Sequence, residues 1–440
     1  MNKFTRKLVL LSTFVLGSLS AAQKPNIILI LADDMGYECV GANGSEDYKT
    51  PELDKLGASG MRFEQCFSNP LCTPSRVKIM TGLYNIRNYV RFGVLERSQR
   101  TFANQLKEVG YTTAIAGKWQ LGRKTDAPQS FGFDQSCLWQ HFRGRVRKGT
   151  QFDSRYPNPQ LEINGKAVDH NNGEYGPDVC ADFICDFIET NKEKPFFVYY
   201  PMILPHCPFD ATPDSTTWDP KSLGSPIYKG PGEYDLLKKH FGDMVQYTDK
   251  MVGKIVAKLD KLGLRENTLI IFTGDNGTDK PIITKWNGKV IEGGKGKVAD
   301  TGTRVPLIIN WPGKIAPAVQ EKELVEFSDF MPTLCELAGA PLPNNYPGDG
   351  VSFWPVLSGK GKRTKDYVHI WYNSLNREKH TWVRNLDYGV YLDRIKGSYT
   401  YQKFTSHFST EIVDYEGLPE SEKAIFNNLK GIMDRISAKK

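Results

Sequence analysis

The sequence predicts an α/β protein with a large, mostly parallel sheet sandwiched by helices, followed by a smaller C-terminal α+β subdomain that contains an antiparallel sheet. Three observations support this prediction. Continuous apolar runs recur along the first 310 residues, helical patterns lie between them, and short alternating segments follow residue 360. Alternation of buried strands with helices is typical of parallel sheets, whereas closely spaced alternating segments are typical of antiparallel sheets.

Five apolar runs of six or seven residues predict strands that are buried on both faces. They are residues 25–31, 111–116, 195–200, 268–273 and 305–310. Four amphipathic patterns predict the helices, and three of them end at a glycine, which suits a helix C-terminus. They span residues 101–109, 178–190, 234–262 and 329–338.

The C-terminal part begins after a basic stretch, residues 359–365, that is predicted to be a linker. This stretch divides the chain after residue 22 into two predicted parts. The larger part spans residues 23–360, and the smaller subdomain spans residues 361–440. Short strands are predicted at residues 367–372, 381–384, 388–393 and 398–404, and a terminal helix at residues 421–436. Ser421 is the expected N-cap of that helix. Two segments rich in Pro, Gly, Asn and Asp, residues 123–175 and 206–232, are predicted to be surface loops.

The first 22 residues have the pattern of a secretory signal peptide. Lys3, Arg6 and Lys7 precede an apolar run at residues 8–19, and small residues follow at 20–22. The run is too short to span a bilayer comfortably, so we expect no stable membrane anchor. The sequence therefore predicts an exported protein that is periplasmic or secreted.

Net charge and cysteine content say less about partners and disulfides. The 440-residue chain carries a net charge of +7, which falls to +4 without the signal segment because that segment has three basic and no acidic residues. This excess is compatible with an anionic substrate, and we expect no nucleic-acid partner. The chain has eight cysteines without a framework spacing; Cys180 and Cys185 are the pair with the best chance of a local disulfide.

Polar residues stand at the ends of four predicted strands, where ligands bind in open parallel sheets. Asp33 and Asp34 follow the first strand, Lys118 the second, and His206 lies a short loop beyond the third. The fourth is followed by Asp275 and Asn276. A single acidic strand end often only caps a turn. Two of them in one sheet favour a site for Ca²⁺ or Mg²⁺, which prefer carboxylate and amide oxygens.

The most specific motif is C-T-P-S-R at residues 72–76, followed by T-G at residues 81–82. Pro74 suits the first turn of a helix, which places Cys72 near the positive end of the helix dipole and Arg76 one turn later. Such a position would activate a thiolate. For an arbitrary cysteine, a buried or bridged side chain is the commoner alternative.

This motif resembles that of the formylglycine-dependent sulfatases, a branch of the alkaline phosphatase superfamily. The likeness extends over nearly the whole mature chain and in family order: PNIILILADD, TPELDKLGASGMRF, GYTTAIAGKWQLG, FTGDNG, GGKGKVADTGTRVPLIINWPGKI and DGVSFWPVLSG all resemble family segments. The resemblance implies an alkaline-phosphatase-like fold and hydrolysis of sulfate esters. It also implies a maturation enzyme that oxidises Cys72 to an aldehyde, formylglycine, whose hydrate is the nucleophile.

Roles for single residues follow from the resemblance alone. The metal, Ca²⁺ with Mg²⁺ as the alternative, would be held by Asp33, Asp34, Asp275, Asn276 and the product of Cys72. Arg76 would hold the hydrate, Lys118 and Lys295 would neutralise the sulfate oxygens, and His206 would protonate the departing alcohol. Without the family pattern, Lys295 would be interpreted as part of a flexible basic loop and His206 as a turn residue.

One position departs from the family. The family usually has G-K-W-H-L-G where this chain has Gln120 in place of the histidine. Glutamine can donate or accept a hydrogen bond but cannot take a proton at neutral pH. We expect Gln120 to keep the positioning role. Two other classes of function remain open at this point: a phosphodiesterase or phosphonate monoester hydrolase of the same superfamily, and a sulfated-glycan-binding protein without turnover.

The sulfate ester is expected to be on a carbohydrate, although no local pattern identifies the sugar. Arg143, Arg145 and Arg147 form a basic segment that could contact an acidic oligosaccharide, with a solvated loop as the alternative. Further candidates for the sugar pocket, against an interpretation as core of the small sheet, are Trp371, Tyr372, His380 and Trp382.

Overall fold

A computed structural model describes residues 24–227, 238–374 and 379–438. Its strands, in chain order, are β1 Asn26–Ala32, β2 Met61–Phe67, β3 Thr112–Lys118, β4 Gln135–Trp139, β5 Gln160–Ile163, β6 Lys166–Asp169, β7 Phe196–Pro201, β8 Thr268–Gly274, β9 Ile283–Trp286, β10 Lys289–Glu292, β11 Arg304–Asn310, β12 Val319–Glu321, β13 Val325–Glu326, β14 Val368–Asn373, β15 Lys379–Arg384, β16 Tyr388–Asp393, β17 Ser398–Ser406 and β18 Ser409–Val413. The α-helices are α1 Pro51–Ala58, α2 Cys72–Thr81, α3 Asn85–Asn88, α4 Phe102–Glu108, α5 Ala127–Ser130, α6 Gly176–Thr190, α7 Phe241–Lys261, α8 Asp300–Thr303, α9 Phe330–Ala338, α10 Trp354–Leu357 and α11 Glu420–Ala438.

The main sheet has eleven strands in the order β12-β2-β11-β8-β1-β7-β3-β4-β5-β6, with β13 also paired to β2. Its centre, from β8 to β4, is parallel, as the apolar runs predict. The predicted strand at residues 305–310 is present as β11, but it lies antiparallel to β8 and β2. Its direction differs because the chain returns through the β9–β10 hairpin and the short α8, without the crossover helix that a parallel connection needs.

Both faces of this sheet are buried, which explains its continuous apolar strands. In β1, Ile28 and Ile30 face a core layer that includes residues of α1, α6 and α7. Ile27 and Leu29 face the opposite layer, which includes residues of α2, α4 and α9. The predicted α/β sandwich is therefore confirmed. The predicted helix at residues 234–262 begins outside the described residues and is present from Phe241 as α7.

The second sheet is antiparallel, in the order β14-β15-β16-β17-β18, and its last strand is one that the sequence pattern did not reveal. Helix α11 packs on it through Phe426 and Leu429. Because α11 begins at Glu420, Ser421 lies inside its first turn, so its assignment as the N-cap was wrong. The predicted boundary at residue 360 falls between α10 and β14, and the division into two domains stays a prediction.

Two loop predictions need correction. Residues 123–175 contain α5 and the strands β4, β5 and β6, which extend the main sheet. In the predicted surface loop at 206–232, of which residues 228–232 lie outside the described part, Phe209 is fully buried. Composition signals a break in regular periodicity, but it does not reveal whether the segment packs against a core.

The suggested disulfide is absent. Cys180 and Cys185 both lie on α6, and the eight cysteines of the chain are free and buried. The predicted signal segment, residues 1–22, lies outside the described residues. In the part of the chain that the structure describes, no helix has both the length and the apolar character needed to cross a bilayer.

Candidate active site

Neighbouring strand ends bring the predicted acidic residues together. Asp33 follows β1 and Asp275 follows β8, and both backbones continue the sheet ladder: Asp33 N–H donates to Leu204 O at 2.8 Å and Asp275 N–H donates to Ala32 O at 2.8 Å. Asp34 has a positive φ of 65°. Its N–H donates to Asp275 Oδ1 at 3.0 Å. This left-handed residue turns the chain so that three buried carboxylates face one point.

The pKa values of the three carboxylates are shifted in different directions. Burial raises the pKa of Asp275 to about 8, with Asp33 adding to the effect and Arg76 opposing it. Burial, opposed by Lys295, also raises the pKa of Asp34 to about 6. Burial acts in the same direction on Asp33, but Lys118, His206 and Arg76 outweigh it and hold that pKa well below its usual range. Clustered acids of this kind need added positive charge to be fully ionised together.

The residues fit a divalent cation. Ligand atoms of Asp33, Cys72 and Asp275 lie within 4.8 Å of one another, as do those of Asp33, Asp34 and His206. Two oxygens in this cluster, Asp33 Oδ1 and Asn276 Oδ1, are buried without a hydrogen-bond partner. Buried polar atoms normally have a partner, and oxygens are the donors that Ca²⁺ and Mg²⁺ take.

Cys72 is the first residue of α2, with Leu71 as the N-cap residue and Pro74 in the first turn. Its Sγ lies 3.1 Å from Gln120 Oε1, which also accepts from Thr73 Oγ1 at 3.3 Å. Burial raises the pKa of the Cys72 thiol, against the opposing charge of Lys118. This direction is opposite to the one expected for an activated thiolate, because removing the thiol from water disfavours its charged form.

Arg76 and Lys118 are buried cations that bind the acidic cluster. Arg76 donates through Nε and Nη2 to Asp275 Oδ2, at 3.3 and 3.2 Å, and through Nη1 to Lys118 O at 3.0 Å. Lys118, the last residue of β3, places Nζ 2.6 Å from Asp33 Oδ2. Arg76 thus fixes α2 against the strand ends.

His206 and Lys295 close the other side of the site. Lys295 Nζ pairs with Asp34 Oδ2 and lies 3.2 Å from His206 Nε2. His206 Nε2 also lies 3.5 Å from Asp34 Oδ2. Burial and the charges of Lys295 and Lys118 lower the pKa of His206 well below its usual value. All the sequence-predicted site residues therefore meet in one place.

The sequence pattern missed the residues that hold His206. Arg155 is fully buried, pairs with Asp153 Oδ2 at 2.9 Å, and places Nη1 3.0 Å from His206 Nδ1. The hydroxyl of Tyr156 donates to the His206 carbonyl. The only available signal was Asp153-Ser-Arg155-Tyr156 within a segment interpreted as a surface loop, and no spacing linked it to residue 206.

Most of the suggested sugar contacts that follow have structural partners, and one aromatic side chain among them is only partly buried. Arg143 binds Glu162 and Asp169, and Arg147 is buried with donors on backbone carbonyls. Trp382 is 1% exposed and belongs to the core beneath the small sheet. Trp371 is only partly buried, and the guanidinium carbon of Arg394 lies 4.4 Å from its ring centroid.

Cations that surround a single nucleophile position suit an enzyme that acts on an anionic ester, because they offset charge on the reacting group. Comparison with known proteins identifies the family. Residues 25–340 match the sulfatase family, and residues 294–437 match the C-terminal region described as "N-sulphoglucosamine sulphohydrolase, C-terminal". The chain belongs to the sulfatase family and is a sulfuric ester hydrolase.

Three known proteins illustrate the similarity. Human arylsulfatase A is 31% identical, over 89% of this chain and 76% of its own. Mouse N-acetylgalactosamine-6-sulfatase is also 31% identical, over 80% of this chain and 69% of its own. The crystal structure of Ps i-CgsB in complex with k-i-k-neocarrahexaose superposes with a TM-score of 0.75 at 26% identity, and covers 94% of this chain and 93% of that one.

Proposed function

We propose that this sulfatase hydrolyses sulfate esters of carbohydrates, with formylglycine derived from Cys72 as the nucleophile and a divalent cation, Ca²⁺ in preference to Mg²⁺. The observation that carries the proposal is the convergence of Cys72 with three buried carboxylates and the Arg76–Lys118 pair. The carbohydrate substrate is supported by similarity to N-acetylgalactosamine-6-sulfatase and to a protein solved with a neocarrahexaose.

Asp33, Asp34, Asp275 and Asn276 would hold the cation, together with the oxygen that replaces Cys72 Sγ. When bound, the cation polarises a sulfate oxygen and neutralises the clustered carboxylates. In the structure Cys72 Sγ stands for a hydroxyl of the formylglycine hydrate, which supplies the attacking oxygen after maturation. The sequence also predicts export to the periplasm or the exterior, and we retain that as part of the proposal.

The remaining side chains orient the substrate and supply the proton that the departing alcohol needs. Lys118 and Lys295 are placed to neutralise sulfate oxygens, since their Nζ atoms pair with two different carboxylates of the acidic cluster, Asp33 and Asp34. His206 Nε2 faces the same point and would give a proton to the departing alcohol oxygen once the bound sulfate anion offsets the Lys295 and Lys118 charges that lower its pKa. Arg155 and Tyr156 hold the His206 loop in that orientation.

The proposal is tested by measuring sulfate release from a panel of defined sulfated sugars, with matched phosphate esters in parallel. Mass spectrometry first verifies that Cys72 has been converted. We expect sulfate release from at least one sugar and weaker hydrolysis of the phosphate esters. Faster phosphate hydrolysis would instead favour the phosphodiesterase alternative.

Removal of the cation should abolish activity and lower stability. Ligand that binds only the folded state stabilises it by about 2.7 kcal/mol at a hundred times its dissociation constant. We therefore expect added Ca²⁺ to raise the Tm of chelator-treated protein and restore sulfate release. Asp275→Asn should lose both responses, while Asp186→Asn, which changes an exposed acid on α6, should keep them. If added Ca²⁺ left the Tm of the chelator-treated parent unchanged, the proposed metal site would be contradicted.

Gln120→His should change sulfate release by no more than about tenfold, or roughly 1.4 kcal/mol in barrier. The reason is that Gln120 already hydrogen-bonds the position 72 side chain at 3.1 Å. Its φ of 52° lies in a region that histidine also adopts. The measurement is kcat for the converted variant and parent on one sugar sulfate. A much larger gain would mean that the native glutamine limits turnover.

A further inference from the structure

We propose that a cavity beside Gln120 binds a second anionic group of the sugar, so that the preferred substrate is an oligosaccharide with at least two negative charges. This inference rests on the proposed sulfatase function and specifies its substrate class. The cavity has a volume of about 760 Å³ and is open to solvent at one side. That volume lies in the range of cavities that hold small ligands.

The cavity lies beside a neighbour of the nucleophile. Gln120 lines it, and Gln120 Oε1 lies 3.1 Å from Cys72 Sγ. Gly93, on the facing segment, also lines it, and its N–H donates to Thr73 Oγ1 at 3.2 Å. The cavity and the nucleophile position therefore share Gln120 as a neighbour, so the rest of a sugar whose sulfate lay at position 72 would lie close to this space.

The walls of the cavity are backed by a packed apolar layer. Leu95, Leu121 and Phe131 are each at least 97% buried, so they belong to the core and hold the cavity walls in place from behind. A backbone hydrogen bond of 3.3 Å from Leu95 N–H to Leu121 O joins the two segments that form the walls. A cavity that is already formed costs less ordering entropy on binding.

The rim is cationic. Arg91, Arg123 and Lys124 are exposed, and none of them forms an ion pair within 4 Å with any residue that the structure describes. Arg97 differs, because both of its terminal nitrogens lie 2.7 Å from the Asp126 carboxylate. Three uncommitted cations beside an anion-cleaving site would attract a further anion and hold it near the rim.

The complementary ligand group is a sulfate or a carboxylate on the same or the next sugar. Both are anions that arginine can bind through paired donors. Three disaccharides with the same backbone distinguish a sulfate from a carboxylate as the second anion. The first carries one sulfate, the second carries two sulfates, and the third carries one sulfate and one carboxylate.

The test compares a rim variant, Arg91→Ala/Arg123→Ala/Lys124→Ala, with a matched control, Lys314→Ala/Lys360→Ala/Lys362→Ala, which removes three exposed charges that do not line the cavity. We expect kcat/KM of the rim variant to fall at least ten times more on the better doubly charged disaccharide than on the singly sulfated one. This loss should come from a higher KM. The control should keep the parent ratio. An equal loss on all three disaccharides, or no loss, would overturn the inference.

Calorimetric binding separates this inference from the proposed function. If the parent releases no sulfate from these disaccharides or from any sugar of the panel described above, the proposed function fails. The same doubly charged disaccharides are then titrated into parent and rim variant. Binding that weakens at least tenfold in the rim variant supports the cavity as an anion site, and equal affinity overturns it.

Discussion

The Cys72→Ser variant is expected to cleave about one substrate molecule per enzyme and then stop. Serine has one hydroxyl, which can attack the sulfur and release the alcohol, but the resulting serine sulfate needs water to break it. The hydrate of formylglycine has a second hydroxyl and avoids that step. Multiple-turnover sulfate release should fall about 10⁴-fold or more, in the range seen when a nucleophile is removed. The buried position accepts the smaller oxygen, so folding should be retained.

The measurement combines a rapid assay of alcohol release with the intact mass of the enzyme afterwards. A burst of one equivalent should coincide with a mass increase of one sulfo group. Cys72→Ala should show neither the burst nor the mass increase. Cys335→Ser, a change at another buried cysteine, should keep multiple turnover. Sustained turnover by Cys72→Ser would contradict the role proposed for formylglycine.

The parallel centre of the fold was predictable because its cause is local. A strand buried on both faces must be apolar throughout, and β1, with all seven of its residues buried, shows that pattern directly. The direction of β11 was not predictable from its own residues, because an apolar run does not indicate whether the strand lies parallel or antiparallel to its neighbours. The same limit applies to β4, β5 and β6, whose pairing depends on contacts with β3 and with one another.

The site was predictable where chemistry and strand ends coincide. Asp33, Lys118 and Asp275 stand at ends of sheet strands, so the fold brings them together once the strands are assigned. Arg155 was missed because its partner His206 is distant in sequence and the contact depends on how two irregular segments pack. The cavity rim was missed for the same reason, since Arg91 and Arg123 line one cavity only when the two loops that carry them pair.

The stretch 359–365 shows what composition alone conceals. It resembles a solvated linker, yet Lys365 is buried and pairs with Glu326 Oε1, and Arg363 Nη2 lies 2.8 Å from Asp329 Oδ2. The other oxygen of Glu326 pairs with Lys78, which lies on α2 between Cys72 and the end of the helix. Glu326 thus joins the nucleophile helix to the chain that leads into the second sheet.

We therefore expect Glu326→Gln to lower the free energy of unfolding by about 3 to 5 kcal/mol, because it leaves the Lys78 and Lys365 ammonium groups buried with less compensating charge. Burial would raise the pKa of Glu326, but Lys365 and Lys78 outweigh it and hold that pKa below 4.5. The carboxylate's contribution is then complete above the unfolded pKa and is lost as the pH falls through the lower folded value. The parent–variant difference should accordingly be full at pH 7 and shrink below about pH 4.5.

Chemical denaturation of parent and variant at pH 7 and at pH 4 measures both expectations. Glu52→Gln is the matched control, since it removes an exposed pair with Lys55 and should cost less than about 1 kcal/mol. A Glu326→Gln loss no larger than that of the control would show that the buried network does not stabilise α2. If the loss is large, sulfate release per folded molecule should still remain near that of the parent, because Glu326 reaches the active site only through the placement of α2.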